Sequence, residues 1–242
     1  MVKSNKEIIK VGCIKHRYPD KTEVSICGLA FVVHKGEKVA LIGPNGSGKT
    51  TLILHLVGLL TPTEGEVRVF GVDPAKEFSK IGKKIGFVSQ NVEEQLIGPT
   101  VFDDIAFSLI NYGVLKKEIE KKVLEVIKNL KIENLKDKIV HYLSGGEKKK
   151  VALAGALVLK PELLILDEAF AELDPESTDL VLKLLNKYVE ETGAAIVLAT
   201  NDISLVQKFA DIVYLLEAGQ IIFKGTFKEL VKSKKKYEVC VH

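Results

Sequence analysis

The sequence contains few residues of several kinds, and each shortage narrows the classes of protein it can belong to. Of its 35 basic residues only Arg17 and Arg68 are arginines, and the formal net charge is +3. No broad basic surface for nucleic acid is therefore expected outside the lysine-rich tail at residues 232–236, which we interpret as a solvated chain end. No apolar run approaches the roughly 20 residues that span a bilayer. Residues 1–6 also lack the apolar core of a signal peptide. We therefore expect a chain that is soluble by itself, with any membrane-spanning part on another polypeptide.

Cysteine is also scarce. Cys13, Cys27 and Cys240 have no metal-ligand spacing, and their odd number fits a protein of the reducing cytoplasm. Two of the three stand in apolar surroundings and are expected to be small core residues.

The order of apolar segments predicts an α/β protein. The 242 residues suffice for one large domain or for one domain with an inserted subdomain. Short strands fill the first third, and buried strands are predicted again at residues 163–166 and 195–198. Helices are predicted from Lys49 to about Leu60 and from Pro175 to about Glu191. Strands alternating with helices indicate a parallel sheet covered on both faces, with the mainly helical residues 91–160 as an insert.

A glycine-rich segment between a predicted strand and a predicted helix indicates phosphate binding. It consists of Gly43, Pro44, Asn45, Gly46, Ser47, Gly48, Lys49 and Thr50, and it matches G-x-x-x-x-G-K-[ST]. Its main-chain N–H groups and the helix dipole favour an anion. Lys49 is expected at the β- and γ-phosphates, the Thr50 hydroxyl at Mg²⁺, and Thr51 among the ATP-binding residues. The alternative, a chance glycine turn, is disfavoured by the flanking elements.

Two carboxylates, Asp167 and Glu168, follow a buried apolar run. They stand at the carboxyl end of a predicted strand, where parallel sheets place their ligands. We expect Asp167 in the Mg²⁺ shell and Glu168 as the general base for the attacking water. An acidic helix cap is the alternative, and the presence of the phosphate loop favours catalysis.

Together with further motifs, these segments resemble the nucleotide-binding domain of ATP-binding-cassette (ABC) ATPases. The further motifs are Gln90, Asp174 and a signature segment formed by Leu143, Ser144, Gly145, Gly146 and Glu147. The resemblance spans about residues 5–230. It implies that Gln90 senses Mg²⁺ and the γ-phosphate, that Asp174 lies at a dimer interface, and that the signature segment contacts ATP held by another subunit.

The resemblance also implies the fold. It is an α/β P-loop NTPase domain spanning residues 1–242, with an antiparallel β subdomain, the helical insert at about 91–160 and a C-terminal tail at 231–242. It implies that Tyr18 stacks on adenine, which suits an aromatic face. A surface aromatic in the turn before Pro19 is the alternative for Tyr18.

A narrower resemblance links the chain to the ATPase subunits of energy-coupling-factor and cobalt-type importers. It rests on residues 18–20 and on the acidic, glutamine-rich residues 89–96, which Pro99 follows. An exposed loop of similar composition is the alternative. The resemblance implies integral membrane partners, a second ATPase subunit, uptake of a vitamin or transition metal, and a place at the cytoplasmic face of the membrane.

The chain departs from the family at several positions, three of which carry polar side chains. Asn201 stands where the family has a histidine that contacts the γ-phosphate, Glu172 where a small residue is usual, and Lys150 where arginine is frequent. Asparagine is shorter than histidine and carries no charge near neutral pH. We therefore expect tight ATP binding, slow hydrolysis, and a role as the weaker half of a heterodimer rather than a homodimer. Two alternatives remain: a soluble ABC ATPase that acts on nucleic acid, and a regulatory module that binds ATP without turnover.

Overall fold

The computed structural model describes residues 6–233 and contains strands and helices in alternation. The strands are β1 Glu7–Val11, β2 Ile14–Arg17, β3 Glu23–Gly28, β4 Phe31–His34, β5 Lys38–Ile42, β6 Val67–Val69, β7 Ile85–Val88, β8 Leu163–Asp167, β9 Ala195–Ala199, β10 Ile212–Glu217 and β11 Gln220–Gly225. The helices are α1 Lys49–Leu56, α2 Pro74–Ile81, α3 Val101–Asn111, α4 Lys116–Asn129, α5 Gly145–Leu157, α6 Pro175–Thr192, α7 Ile203–Phe209 and α8 Phe227–Ser233. Short 3₁₀ helices span Gly82–Lys84, Glu133–Leu135 and Val140–Tyr142.

The chain divides into two compact units. The first contains the residues up to Gly82 and those from Ala195 onward, and the second is Lys83–Ala194. In the first unit β4, β1 and β6 form an antiparallel sheet, and a mixed sheet has the order β2–β3–β11–β10–β5–β9. β5 pairs in parallel with both β9 and β10. The carboxyl ends of β5 and β9 therefore lie side by side, and the phosphate loop follows directly from the first of them.

The core of the first unit forms around β5 and β10. Ala40, Ile42, Val213 and Leu215 are buried there together with Leu230 of α8. β5 is apolar on both faces because it lies in the interior of the sheet, which matches its nearly continuous apolar sequence.

The second unit combines a parallel strand pair with helices. β7 and β8 pair in parallel from Ile85 and Leu163 onward, and α5 packs against both β7 and α3. Helix α4 has one apolar face, along which Ile119, Val123 and Val126 are buried. β8 is buried along its whole length and ends at Asp167.

Helix α1 is shorter than predicted. It ends at Leu56 rather than near Leu60, because Gly58 adopts a left-handed conformation with φ 73°. The N–H groups of Leu59 and Leu60 then bond back to the carbonyl of Leu54 and end the helix.

The prediction that two cysteines are small core residues is wrong. Cys13 is exposed, Cys27 is half-buried, and the two form a disulfide with Cα atoms 4.1 Å apart. They occupy opposite positions beside the paired residues Ile14 and Ile26 of the β2–β3 hairpin. This pairing also stands against the expectation of a chain with reduced thiols. Cys240 lies outside the described residues.

The C-terminal tail was expected to begin at residue 231, but Lys232 and Ser233 belong to α8. The remaining lysines of the tail lie outside the described residues. Within residues 6–233, no helix combines the length and the apolar character needed to cross a membrane.

Candidate nucleotide-binding and catalytic site

The phosphate loop runs from the end of β5 to the start of α1, and close contacts force glycine at its first position. A Cβ on Gly43 would overlap the main-chain oxygen of Leu216, so only glycine lets the loop pass beside β10. Gly48 precedes α1 with φ 109°, a conformation that other residues seldom adopt. The loop geometry therefore depends on glycine at both ends.

Polar groups converge inside this loop. The Lys49 ammonium is buried and donates to the carbonyls of Gly43 at 2.6 Å and Pro44 at 3.2 Å. The Ser47 hydroxyl is also buried and has no protein partner among the described residues. A buried hydroxyl without a partner is costly, so a ligand that bonds to it is favoured at this position.

Asn201, which follows β9, lies against the phosphate loop. Its side-chain amide donates to the Asn45 side-chain oxygen at 2.8 Å, across 156 positions of sequence. The preceding residue, Thr200, is buried, and its N–H bonds to the carbonyl of Leu41 in β5. Strand pairing thus holds Asn201 beside the loop, and two residues predicted for the site are in direct contact.

Tyr18 stands at the tip of the β2–β3 hairpin and is tied to helix α1. Its hydroxyl lies 2.9 Å from the Thr51 hydroxyl, and its ring meets that of His16 edge-on at 4.5 Å. His55 is buried beneath them, 5.0 Å from the His16 ring, and its Nδ1 donates to the Thr51 carbonyl. Burial lowers the pKa of His55. Sequence reasoning missed this histidine pair, although alternation along β2 places His16 on the buried face.

In the second unit the two carboxylates take different environments. Asp167 is the last residue of β8 and is buried, whereas Glu168 is half-buried and begins the following loop. Glu168 has φ 46°, a left-handed conformation that is rare for a residue with a side chain. Such strain is concentrated at functional sites, which agrees with the predicted catalytic role without testing it.

Lys149 is a polar core residue of this unit that the sequence prediction omitted. It is 3% exposed and donates to the carbonyls of Gln90 at 2.7 Å and Ser89 at 3.4 Å. Burial lowers its pKa, and the carboxylates of Glu172, Asp167 and Glu168 oppose that shift. The side chain of Gln90 is exposed, whereas its main-chain carbonyl is held by the hydrogen bond from Lys149 of α5. The spacing of the helix could have revealed this burial, because Lys149 precedes the apolar Ala152 and Leu153 by three and four positions and so shares their face of the helix.

The signature segment starts helix α5 with a capping box. The Ser144 hydroxyl accepts from the Glu147 N–H at 3.3 Å, and Glu147 accepts from the Ser144 N–H at 2.8 Å. These bonds lower the pKa of Glu147. Ser144 is therefore the N-cap of α5. Leu143, just before the cap, is buried.

Asp174, predicted at a dimer interface, caps helix α6. It accepts from the Ser177 hydroxyl at 2.6 Å and from the Ser177 N–H at 2.8 Å, and these bonds lower its pKa. Lys150 donates to the same Ser177 hydroxyl at 3.3 Å. This exposed aspartate therefore has a structural role within its own chain.

The residues present fit ATP and Mg²⁺. The Ser47 hydroxyl and the cradle that a Cβ on Gly43 would fill suit phosphate oxygens. Mg²⁺ prefers oxygen ligands. Thr50 of the first unit offers a hydroxyl oxygen, and Asp167 and Gln90 of the second unit offer carboxylate and amide oxygens.

The chain is similar to known ATP-binding proteins. The family model for ABC transporters matches residues 26–171. The energy-coupling factor transporter ATP-binding protein EcfA of Methanocaldococcus jannaschii is 43% identical over 226 residues, 92% of this chain and 80% of that protein. EcfA of Methanococcus maripaludis is 41% identical over 226 residues, 92% of this chain and 81% of its own length.

Solved structures give the same result. CbiO1 of Clostridium perfringens, part of the transporter complex CbiONQ, has a TM-score of 0.81 at 36% identity, over 98% of this chain and 96% of its own. A bacterial ABC transporter cassette solved as a dimer has a TM-score of 0.83 at 28% identity, over 91% and 99%. The chain belongs to the ABC transporter ATP-binding family, and it is an ATPase with the predicted α/β fold. These relatives do not favour the nucleic-acid alternative.

Proposed function

We propose that this chain is the ATP-hydrolysing subunit of an energy-coupling-factor importer for a vitamin or transition metal. It works at the cytoplasmic face of the membrane, as the weaker-hydrolysing half of a heterodimer. The names of its EcfA and CbiO relatives support the transporter type. The contact between Asn201 and Asn45 supports the weaker hydrolysis and is the observation that carries the proposal.

The phosphate loop binds and orients ATP. Lys49 exchanges its bonds to loop carbonyls for the β- and γ-phosphate oxygens, and the buried Ser47 hydroxyl gains a partner. The loop N–H groups and the start of α1 stabilise the negative charge. Tyr18, held by Thr51, presents its ring to the adenine.

Asp167 and Glu168 divide the chemistry. Asp167, Thr50 and Gln90 would hold Mg²⁺, which when bound would offset the phosphate charge. Glu168 accepts a proton from the water that attacks the γ-phosphate, and its strained backbone sets the direction of its side chain.

Asn201 limits the rate of this reaction. Its amide bonds to Asn45 and lacks the reach and charge of an imidazole near the γ-phosphate. Binding of ATP is preserved, because the loop contacts do not depend on Asn201, whereas orientation of the water and of Glu168 is impaired.

The variant Asn201→His tests this assignment. Steady-state ATPase of the full chain is expected to rise about tenfold, equivalent to roughly 1.4 kcal/mol of transition-state stabilisation. KM for ATP should change by only a factor of two or so, because the phosphate loop supplies most of the ground-state contacts. Asn201→Ala is the matched control and should remain slow. A fast wild-type homodimer, or a histidine variant no faster than wild type, would contradict the proposal.

The helical part of the second unit offers a surface for a membrane partner. Among residues 6–233, eight of the twelve exposed large apolar side chains lie between residues 97 and 142. Phe107 and Ile110 stand one turn apart on α3 and are 45% and 59% exposed. Exposed apolar side chains of this kind are typical of an interaction surface, and the glutamine-rich residues 89–96 precede them in sequence.

Isolation of the tagged chain from its native membrane tests the partners. We expect an integral membrane subunit and a second ATPase that has histidine where this chain has Asn201. Ile110→Glu should reduce recovery of the membrane subunit without changing ATP binding by the isolated chain. Leu59→Glu, at an exposed leucine of the first unit, is the control. Recovery of a homodimer, or equal loss with both variants, would count against this assignment.

A further inference from the structure

Glu172 lies in the loop between β8 and α6 in an unfavourable backbone conformation. Its φ is 69°, in the left-handed region where glycine is favoured. The side chain is exposed, so burial of apolar surface does not compensate for the strain. A strained charged residue beside functional segments points to a role for its side chain.

The carboxylate of Glu172 rests on the start of the signature helix. A Cβ on Gly145 would overlap Oε2 of Glu172. A Cβ on Gly146 would lie only 2.8 Å from the main-chain oxygen of Glu172. Gly145 and Gly146 are the first two residues of α5, which has 13 residues. The N–H groups of a first helical turn point outward and carry the positive end of the helix dipole. The negative group of Glu172 therefore stands at the end of α5 that favours anions.

The resemblance to ABC ATPases implies that this same end of α5 contacts the γ-phosphate of ATP held by a facing subunit. Two anions at one helix end repel each other. We propose that Glu172 is an internal anion that occupies the phosphate position of the signature segment and must withdraw before this segment closes on ATP. This inference rests on the proposed function, in which this chain pairs with a second ATPase subunit that binds ATP.

The position of Lys149 links this contact to the rest of the unit. The Glu172 carboxylate favours the charged form of the buried Lys149, and Lys149 holds the carbonyl of Gln90. A displacement of Glu172 therefore alters the charge around the group that fixes the Gln90 loop. The charge of Glu172 thus acts both on the signature segment and, through Lys149, on the main chain at Gln90.

A purely structural role for Glu172 predicts the opposite response. A carboxylate at a helix start stabilises the helix, so its removal would weaken the fold and would not favour closure on ATP. Glu172→Gln keeps the size of the side chain and removes its charge. Glu172→Gly also removes the backbone strain, and it serves if the glutamine variant folds poorly.

Self-association of the full chain with ATP and Mg²⁺ tests the proposal, since two copies contain two phosphate loops and two signature segments. The variants are made with Glu168→Gln, which preserves the bound ATP. Sedimentation at several salt concentrations gives the dimer dissociation constant. Glu172→Gln should tighten the ATP-dependent dimer about tenfold at low salt, with a smaller gain at high salt. ATP affinity of the dilute monomer should not change.

Glu176→Gln is the control, because it removes an exposed carboxylate from the nearby first turn of α6. Equal dimer constants for Glu172→Gln, Glu172→Gly and Glu176→Gln would overturn the inference while leaving the proposed function intact. If every monomer binds ATP but none associates, the inference fails, while the proposed pairing with a different ATPase subunit is untouched. Thermal unfolding of each variant verifies that it is folded.

Discussion

The phosphate loop and the segment after β8 both contain backbone in the left-handed region, but they accommodate it differently. In the loop the unusual torsions fall on glycines, such as Gly46 at φ 77° and Gly48 at φ 109°. After β8 they fall on carboxylates, with Glu168 at φ 46° and Glu172 at φ 69°. Glycine adopts these torsions without steric cost, whereas a residue with a Cβ is strained by about 1–2 kcal/mol.

This difference corresponds to two roles: the phosphate loop binds ATP, and the carboxylates after β8 act at one step of the cycle. A loop that must present its main chain to phosphate benefits from a geometry that is free of strain and always available. Carboxylates that act at one moment of a cycle tolerate strain, since strain can be released when the segment moves. Substitutions in the loop should therefore affect stability and binding together, and those after β8 should separate stability from turnover.

The largest effect is expected from Glu168→Gln. Loss of the general base should lower ATP turnover by about 10²- to 10⁴-fold. Neither ATP binding nor the free energy of unfolding should change appreciably, because the glutamine keeps the size and backbone of Glu168. Single-turnover hydrolysis and ATP titration measure the two quantities. Glu176→Gln is the control. An equal loss of turnover in that variant would contradict the assignment of Glu168 as the general base.

Gly43→Ala should lower both stability and binding. The added Cβ meets the Leu216 oxygen, so we expect a loss of about 2 kcal/mol in the free energy of unfolding, together with weaker ATP binding. Gly46→Ala is the matched comparison, since its Cβ meets nothing within 4 Å and should cost about 1 kcal/mol from backbone strain alone. Urea unfolding and ATP titration measure the two variants. Equal losses would show that the contact with Leu216 is unimportant.

Glu168→Gly should stabilise the fold by about 1 kcal/mol while it abolishes turnover, because it removes both the strain and the base. Lys131→Gly provides the comparison, since Lys131 is exposed and has φ 54° after α4. It should give a similar gain in stability with unchanged turnover. Urea unfolding measures the gain. If Glu168→Gly destabilises the protein, the proposed strain at Glu168 is wrong.

The smallest effect concerns pH and the first unit. Burial lowers the pKa of His55 in the folded state, so the unfolded chain binds a proton first as the pH falls below about 6.5. The stability that His55 contributes is present above that pH and is lost as the pH falls, by at most about 1.4 kcal/mol per pH unit. Unfolding free energies between pH 7.5 and 5.5 should fall less steeply in His55→Asn. Parallel slopes in the two proteins would exclude His55 as the source.

Much of the fold follows from local patterns. The buried strands β5, β8 and β9 are apolar runs of ordinary strand length, and Ser144 caps a helix through neighbours three positions away. Boundaries were harder, because the end of α1 depends on Gly58. A Cβ on Gly58 would meet the Pro74 carbonyl at 2.5 Å. The Cys13–Cys27 pairing was missed because spacing alone does not show that two residues face each other across a hairpin.

By itself, the sequence determined the phosphate loop and the carboxylate pair, since each is a short contiguous segment whose chemistry depends on neighbouring atoms. Tertiary structure decided the contacts between distant segments. Asn201 meets Asn45 because β9 pairs with β5, and Lys149 reaches the Gln90 carbonyl because α5 packs on β7. Glu172, which has φ 69° in the loop between β8 and α6, places its carboxylate beside Gly145 of the same unit. Side-chain direction and strand pairing are set by the whole fold, so no local pattern could specify these contacts.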